Sequence, residues 1–282
     1  MSKRNQVIGW VLLFFAIGFF CIQIGYFFVH ARFQAEYVDN RLFYIINILC
    51  VLFLLAAILL LLKLTKKYII IAASILGIVI ISNLVLLFAG NQQINNITSI
   101  SPDKKHILSI KENMETNEVV YYRSYYGILA RPKDVIPQET NGDFKVEWLA
   151  KDIAAVTYKT KDHSIQQYIG TYGDRGGGSY YYVGAEMHGL WQGDSVEVLN
   201  NQEGITITEN GETELFEWEN IHQFGTLAIV LKKNNEAAWT IALNENFEVN
   251  SGGIESNVGN ISLYKATMEE NQPVILHLID VN

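Results

Sequence analysis

Three long runs without a charged side chain fill most of the first ninety residues: Val7 to Val29, Leu42 to Leu62 and Tyr68 to Ala89. Each is longer than the roughly 18 apolar residues that mark a membrane-crossing helix. Lipid offers the backbone no hydrogen-bond partners, so a segment of this kind must form a helix that satisfies its own amides. A cleaved leader is the alternative for the first run, but leader cores span about 7 to 15 residues and end at a small-residue cleavage site. Here the apolar stretch is longer and leads into Phe27, Phe28, Val29 and His30. A retained three-helix membrane anchor over residues 1–90 is therefore expected.

Basic residues indicate which way the helices point. Lys3 and Arg4 precede the first run and Lys63, Lys66 and Lys67 separate the second from the third, against Arg32 and Arg41 in the first loop. Lys and Arg favour the cytoplasmic side. The expected topology is a cell-membrane protein with a cytoplasmic N-terminus, three passes and an extracytoplasmic C-terminal domain. No Asp, Glu, Lys or Arg interrupts a span, whereas ion paths normally need ionisable groups at membrane depth. The helices thus read as an anchor or a docking surface, with Gln23, Asn47 and Asn83 available for hydrogen bonds between helices.

From Asn91 onward the sequence turns polar. Residues 91–282 hold 27 acids against 14 bases, and the excess lies wholly from Glu186 onward, where 16 acids face three lysines. Nucleic acid is an unsuitable partner for such a surface, because phosphate binding needs clustered Lys and Arg. Both cysteines, Cys21 and Cys50, fall inside apolar runs, so no disulfide staples the polar part, which is large enough to fold around its own core.

That part alternates as half-buried strands do. Ile205 and Ile207 alternate with Thr206 and Thr208, Asn210-Gly211 supplies a two-residue turn, and Phe216 and Trp218 alternate with glutamates. A second hairpin is expected from Leu227 to Leu231, through Lys232 to Asn235, to Trp239, Ile241 and Leu243. Further strands are expected at 106–111, 119–126, 153–158, 165–172, 180–183, 195–199, 261–266 and 274–279. The fold class that follows is membrane α-helical, then an all-β extracytoplasmic domain over 91–282: a sandwich, a barrel or a partial propeller. A change of composition near 184–189 leaves room for two subdomains.

Ser101-Pro102-Asp103-Lys104-Lys105-His106-Ile107-Leu108 resembles the Ser-Pro-Asp-Gly strand opening of TolB-type and WD40-like propeller blades, with Lys104 where Gly is usual. Trp148, Asp152 and Ala154 to Val156 resemble a second opening about one blade length on. The resemblance covers about residues 98–172 and implies a protein-binding platform, with no catalytic residue. The chain as a whole is similar to uncharacterised few-span membrane proteins of Gram-positive bacteria with a cysteine-free outer domain. That similarity implies a setting and no activity.

Ten of the fifteen tyrosines lie between Tyr121 and Tyr182. Tyrosine offers large contact area at low entropic cost, which makes Tyr121, Tyr122, Tyr125, Tyr126, Tyr180, Tyr181 and Tyr182 candidates for a ligand-binding face. Arg175, in the loop Gly173-Asp174-Arg175-Gly176-Gly177-Gly178-Ser179, is a candidate for an anionic partner. That loop lacks the Lys before Ser of a phosphate cradle. The carboxylates from Glu209 to Glu219 read as a solvated face rather than a calcium site, and the histidines of the polar part are single. No cofactor and no metal is expected. The composite expectation is a non-enzymatic binding module whose partners are the lipid bilayer and an envelope protein or cell-wall glycan. The alternatives are an accessory subunit of a transporter or sensor, and a wall-active enzyme.

Overall fold

The computed structural model describes residues 3–125, 127–173, 175, 182–193, 195–249 and 258–279. Two compact units emerge: residues 1–98 with 109–135, and residues 99–108 with 136–282. The first unit therefore extends beyond the apolar runs to include β structure.

Three helices carry the apolar runs: α1 (Lys3–Phe33), α2 (Arg41–Leu61) and α3 (Lys66–Gln93), with a two-residue strand β1 (Glu36–Tyr37) between the first two. All three are long and apolar enough to cross a membrane. Each helix starts or ends a few residues outside its apolar run, because flanking polar side chains reach water while their backbone stays helical. The expected interhelical polar contacts are present. Asn47 Nδ2 donates to Asn83 Oδ1 at 3.2 Å, and Gln23 Nε2 donates to the Phe43 carbonyl at 2.8 Å. Leu62 to Thr65 join α2 to α3, so Lys66 and Lys67 sit in the first turn of α3 rather than in the link.

Helix α3 runs directly into β2 (Ile94–Ile100), followed by β3 (Ile107–Asn113), β4 (Val119–Tyr125) and β5 (Leu129–Ile136). They form a sheet in the order β1-β5-β4-β3-β2. The edge strand β1 belongs to the α1–α2 connection, where Glu36 pairs with Ala130 and Tyr37 with Leu129. Ala35, Tyr37 and Val38 of this connection are buried, and Ser109 Oγ donates to the Val38 carbonyl at 2.6 Å. The helix ends and the sheet thus share one small core.

In the second unit β6 (Thr140–Ala150), β7 (Ile153–Thr160) and β8 (Ile165–Thr171) form an antiparallel three-stranded sheet. A helical turn α4 (Val183–Glu186) precedes nine strands: β9 (Gly189–Gln192), β10 (Val196–Asn200), β11 (Gly204–Glu209), β12 (Glu212–Glu217), β13 (Ile221–Phe224), β14 (Ala228–Lys233), β15 (Glu236–Leu243), β16 (Asn260–Lys265) and β17 (Val274–Ile279). Their order is β12-β11-β10-β9-β17-β16-β15-β14-β13. The two outermost strands, β12 and β13, are joined by the single 3-10 turn Trp218–Asn220. Three residues reach only about 10 Å, so the sheet must curl until its edges nearly meet. Its inward residues form one cluster that includes Trp191, Val198, Ile205, Phe216, Ile229 and Leu263, as a nearly closed barrel requires.

Strand β14 explains its own unbroken apolar run. Ile229 and Leu231 face the barrel core, while Ala228 and Val230 face outward onto Leu149, Ile153 and Ile169 of the three-stranded sheet. A strand buried on both faces needs no polar alternation.

Both expected hairpins form. Asn210 and Gly211 take φ of +53° and +86°, the left-handed pair that a tight hairpin demands. In the second hairpin only Asn234 and Asn235, at +50° and +67°, make the turn, since Lys232 and Lys233 pair with Ala237 and Glu236 as strand. Trp218 leaves the strand for the 3-10 turn, and Val183 opens α4 instead of ending a strand.

Candidate functional site

The mouth of the barrel holds a cavity of about 460 Å³. Four short segments of the second unit build it. Helix α4 supplies Gly184, the end of β10 and the turn after it supply Asn200 and Gln202, the 3-10 turn supplies Trp218, and β13 supplies Gln223. His188 lies just beyond α4.

Trp218 is 41% exposed, and its Nε1 donates to the Gln202 carbonyl at 3.1 Å. The indole packs on Gly184 so closely that a Cβ there would lie 2.6 Å from Cζ3 of the ring. Asn200 is almost fully buried. Its Nδ2 donates to the Gly184 carbonyl at 2.5 Å, while its Oδ1 has no partner among the described residues. Gln223 Oε1 accepts the Val183 amide at 3.1 Å and Nε2 donates to the Gly225 carbonyl at 2.9 Å, which fixes the side chain at the rim. An aromatic face flanked by side-chain amides and an imidazole suits a ligand that presents C–H faces and hydroxyls. No carboxylate is among the described lining residues.

A second cavity, about 340 Å³, lies beside the acidic hairpin. Two of its three carboxylates are answered by lysines: Lys265 Nζ meets Glu209 Oε2 at 2.7 Å, and Lys233 pairs with Glu214. Ion pairing thus engages Glu209 and Glu214 of this acidic face.

The described candidate residues read from sequence fall in both units. Tyr121 is buried, Tyr122 is half-buried and Tyr125 is exposed, all on β4 in the first unit. Tyr182, 67% exposed, lines the barrel-mouth cavity in the second unit. Tyr126, Tyr180 and Tyr181 lie outside the described residues.

Tyr122 belongs to a polar cluster. Lys111 Nζ donates to Glu36 Oε2 at 2.6 Å and Asn40 Oδ1 at 2.7 Å, and lies 4.3 Å from the Tyr122 ring centroid. Burial lowers the pKa of Lys111, opposed by Glu36. Burial, then the nearby Glu36 charge, pushes Tyr122 up to about 12.

Arg175, considered for an anionic partner, is bound within the chain. Its guanidinium grips Asp152 and also donates to the Leu243 carbonyl at 2.8 Å. Trp218, Asn200, Gln202 and His188 were not singled out in the sequence, since the four segments carrying them meet only after the barrel closes. The chain matches no protein-family model, no curated protein and no solved structure.

Proposed function

We propose that this chain is a membrane-anchored, non-enzymatic binding module that presents its barrel on the extracytoplasmic side and takes an envelope glycan in the Trp218 cavity. The supporting observation is the lining itself: an accessible indole beside the amides of Asn200 and Gln223, without a carboxylate to act as general acid or nucleophile. Stacking on Trp218 would supply contact area, and the exposed rim beside it would leave room for the hydroxyls of a sugar. The orientation rests on the basic residues: Lys3, Arg4, Lys63, Lys66 and Lys67 gather at the helix ends opposite the loop that carries β1.

The test uses the full chain in detergent, incubated with insoluble cell-wall polysaccharide and sedimented. Retention above a cellulose control is expected, with Trp218→Ala lowering apparent affinity about tenfold, as loss of one well-stacked aromatic would. Equal retention of wild type and variant would refute the assigned pocket, and no retention would refute the glycan. Non-permeant protease on intact cells tests the orientation, which fails if the barrel is cut only in inverted vesicles.

A second reading is supported by α3, none of whose side chains is buried. Its outer face, with Ile78, Ile81, Val85 and Phe88 exposed, would also suit an accessory subunit docked on another membrane protein. Replacing α3 by an unrelated apolar helix separates the two readings, because glycan retention would survive the exchange and assembly with a partner would not.

A further inference from the structure

The first unit contains a cavity of about 390 Å³ that the glycan reading does not use. All three helices line it at the same end. Tyr26 and Phe27 come from the last two turns of α1, Phe43 and Tyr44 from the first turn of α2, and Gly90 and Asn91 from the last turn of α3. Because consecutive helices run antiparallel, this end is the one opposite the lysines of the α2–α3 link. It is also the end from which β1 and β2 emerge. The cavity therefore sits at the depth where hydrocarbon gives way to headgroups, the level at which aromatic side chains collect.

Its lining is graded. Phe27, Phe43 and Leu87 form the part nearer the membrane centre, and Glu36, Asn40, Arg41, Gln93 and Asn96 form the part nearer the sheet. Tyr26 and Tyr37 stack face to face between them, with ring centroids 4.3 Å apart. An apolar floor under a polar roof fits neither a soluble metabolite nor a bare acyl chain. It fits the glycerol region and headgroup of one lipid, in volume as well as polarity.

The charges select among lipids. Arg41 pairs with Asp39, and Glu36 pairs with Lys111. Each charged group at the roof thus has its counter-ion within the protein, and a phosphate would meet no unanswered cation. Besides the His30 imidazole, whose Nδ1 meets the Ala35 carbonyl at 3.0 Å, the lining offers a ligand amides: Asn91 and Gln93 are exposed at the cavity. Amides both donate and accept, which matches hydroxyls. We infer that this cavity binds a bilayer lipid with an uncharged, hydroxyl-bearing headgroup, a glycosyl- or polyol-headed diacylglycerol, at the base of the β structure.

The full chain, purified in detergent and exposed to equimolar glycosyl-diacylglycerol, phosphatidylcholine and phosphatidylglycerol of identical acyl chains, is examined by native mass spectrometry. The glycosyl lipid is expected to be retained about tenfold over either phospholipid, the gain of one or two added hydrogen bonds. Asn91→Leu with Gln93→Leu, at exposed positions where folding is not at stake, is expected to abolish the preference. Gly90→Phe, which fills the space beside the Tyr44 ring 3.7 Å from the Gly90 Cβ position, is expected to abolish lipid retention altogether. Equal retention of the three lipids overturns the inference, as does preference for phosphatidylglycerol, whose charge the roof should not favour. A preference that persists in the double variant also overturns it. Trp218→Ala should leave the result unchanged, so failure here and failure of the glycan reading are separable.

Discussion

Arg175 holds Asp152 through two parallel hydrogen bonds, Nε to Oδ2 at 2.9 Å and Nη2 to Oδ1 at 2.6 Å, with both side chains largely shielded from water. Asp152 sits in the β6–β7 turn, and Arg175 also reaches the carbonyls of Leu243 and Asn244 at the end of β15. The guanidinium therefore fastens the three-stranded sheet to the barrel. A planar fork suits this task where Lys would not. Removing one partner of a buried pair leaves the other charge unanswered, at a cost of about 3–5 kcal/mol. Asp152→Ala is expected to lose that much in equilibrium unfolding of the detergent-solubilised chain, and Asp152→Ala with Arg175→Met is expected to recover more than half of it. Additive losses would show that the two residues act independently.

The first unit carries a comparable pair in Glu36 and Lys111, with a different balance. Lys111 is 5% exposed at its side chain while Glu36 is 31% exposed, so the ammonium bears most of the desolvation. Glu36→Gln is expected to destabilise toward the lower end of roughly 3–5 kcal/mol, because the residual Asn40 bond cannot neutralise a buried charge. Lys111→Met is expected to cost less, since the carboxylate it leaves can reach water. Thermal unfolding of the two variants side by side checks the order, and a larger loss for Lys111→Met would reverse the assignment.

Much of the architecture was legible because it depends on local chemistry. Asn210-Gly211 specifies its turn wherever the flanking strands lie, and the Leu227–Leu231 run announces a strand of the second hairpin. Other features escaped for physical reasons. Strand β5 contains Pro132 and four consecutive exposed residues from Pro132 to Val135, so it carries no alternation to detect. In β6 the register shifts twice, between Thr140 and Phe144 and between Trp148 and Ala150, which breaks the period-two pattern. Lys104 takes a left-handed φ of +61° in the turn closed by Ser101 and His106, the conformation for which glycine is the usual residue there. The barrel-mouth cavity had no sequence signature, since Trp218 reads as part of an alternating strand and Asn200 as the residue that follows one. Within the tyrosine-rich stretch, Tyr121 and Tyr158 are buried strand residues, with 1% exposure each, a placement that composition alone does not reveal.

His222 gives the barrel a pH dependence. It pairs with Val230 across β13–β14, and its pKa is lowered first by burial and then by the charge of Lys232. A base with a depressed folded-state pKa is neutral in the fold when the unfolded chain already binds a proton. Its contribution is complete above the unfolded value of about 6.5 and is lost as pH falls through the lower folded value. The melting temperature is therefore expected to drop on acidification from about pH 7.5 to about 5.5, and His222→Gln is expected to flatten part of that slope. Superimposable slopes for wild type and variant would assign the effect to other histidines.

Gly184 offers the sharpest test of the barrel-mouth cavity, because its substitution moves the indole without removing any polar group. Gly184 lies in α4 at an ordinary backbone conformation, where Ala is favoured over Gly by about 1 kcal/mol. The added methyl would lie 2.6 Å from Cζ3 and 3.1 Å from Cη2 of Trp218, so one of them must move. Helix α4 is held by the Asn200 bond to the Gly184 carbonyl and by Val183 and Met187 in the barrel core, whereas the indole is 41% exposed and free to swing outward. The ring yields. Gly184→Ala is expected to stay within about 1 kcal/mol of wild-type stability, the helical gain offsetting lost ring contacts. Its Trp218 fluorescence should become more accessible to acrylamide, with Trp218→Phe as the reference for the other tryptophans. Glycan retention should fall by as much as in Trp218→Ala, since a displaced indole is as useless to a stacked ligand as an absent one. Unchanged quenching would mean the backbone gave way instead, and full retention with a displaced ring would remove Trp218 from the binding surface.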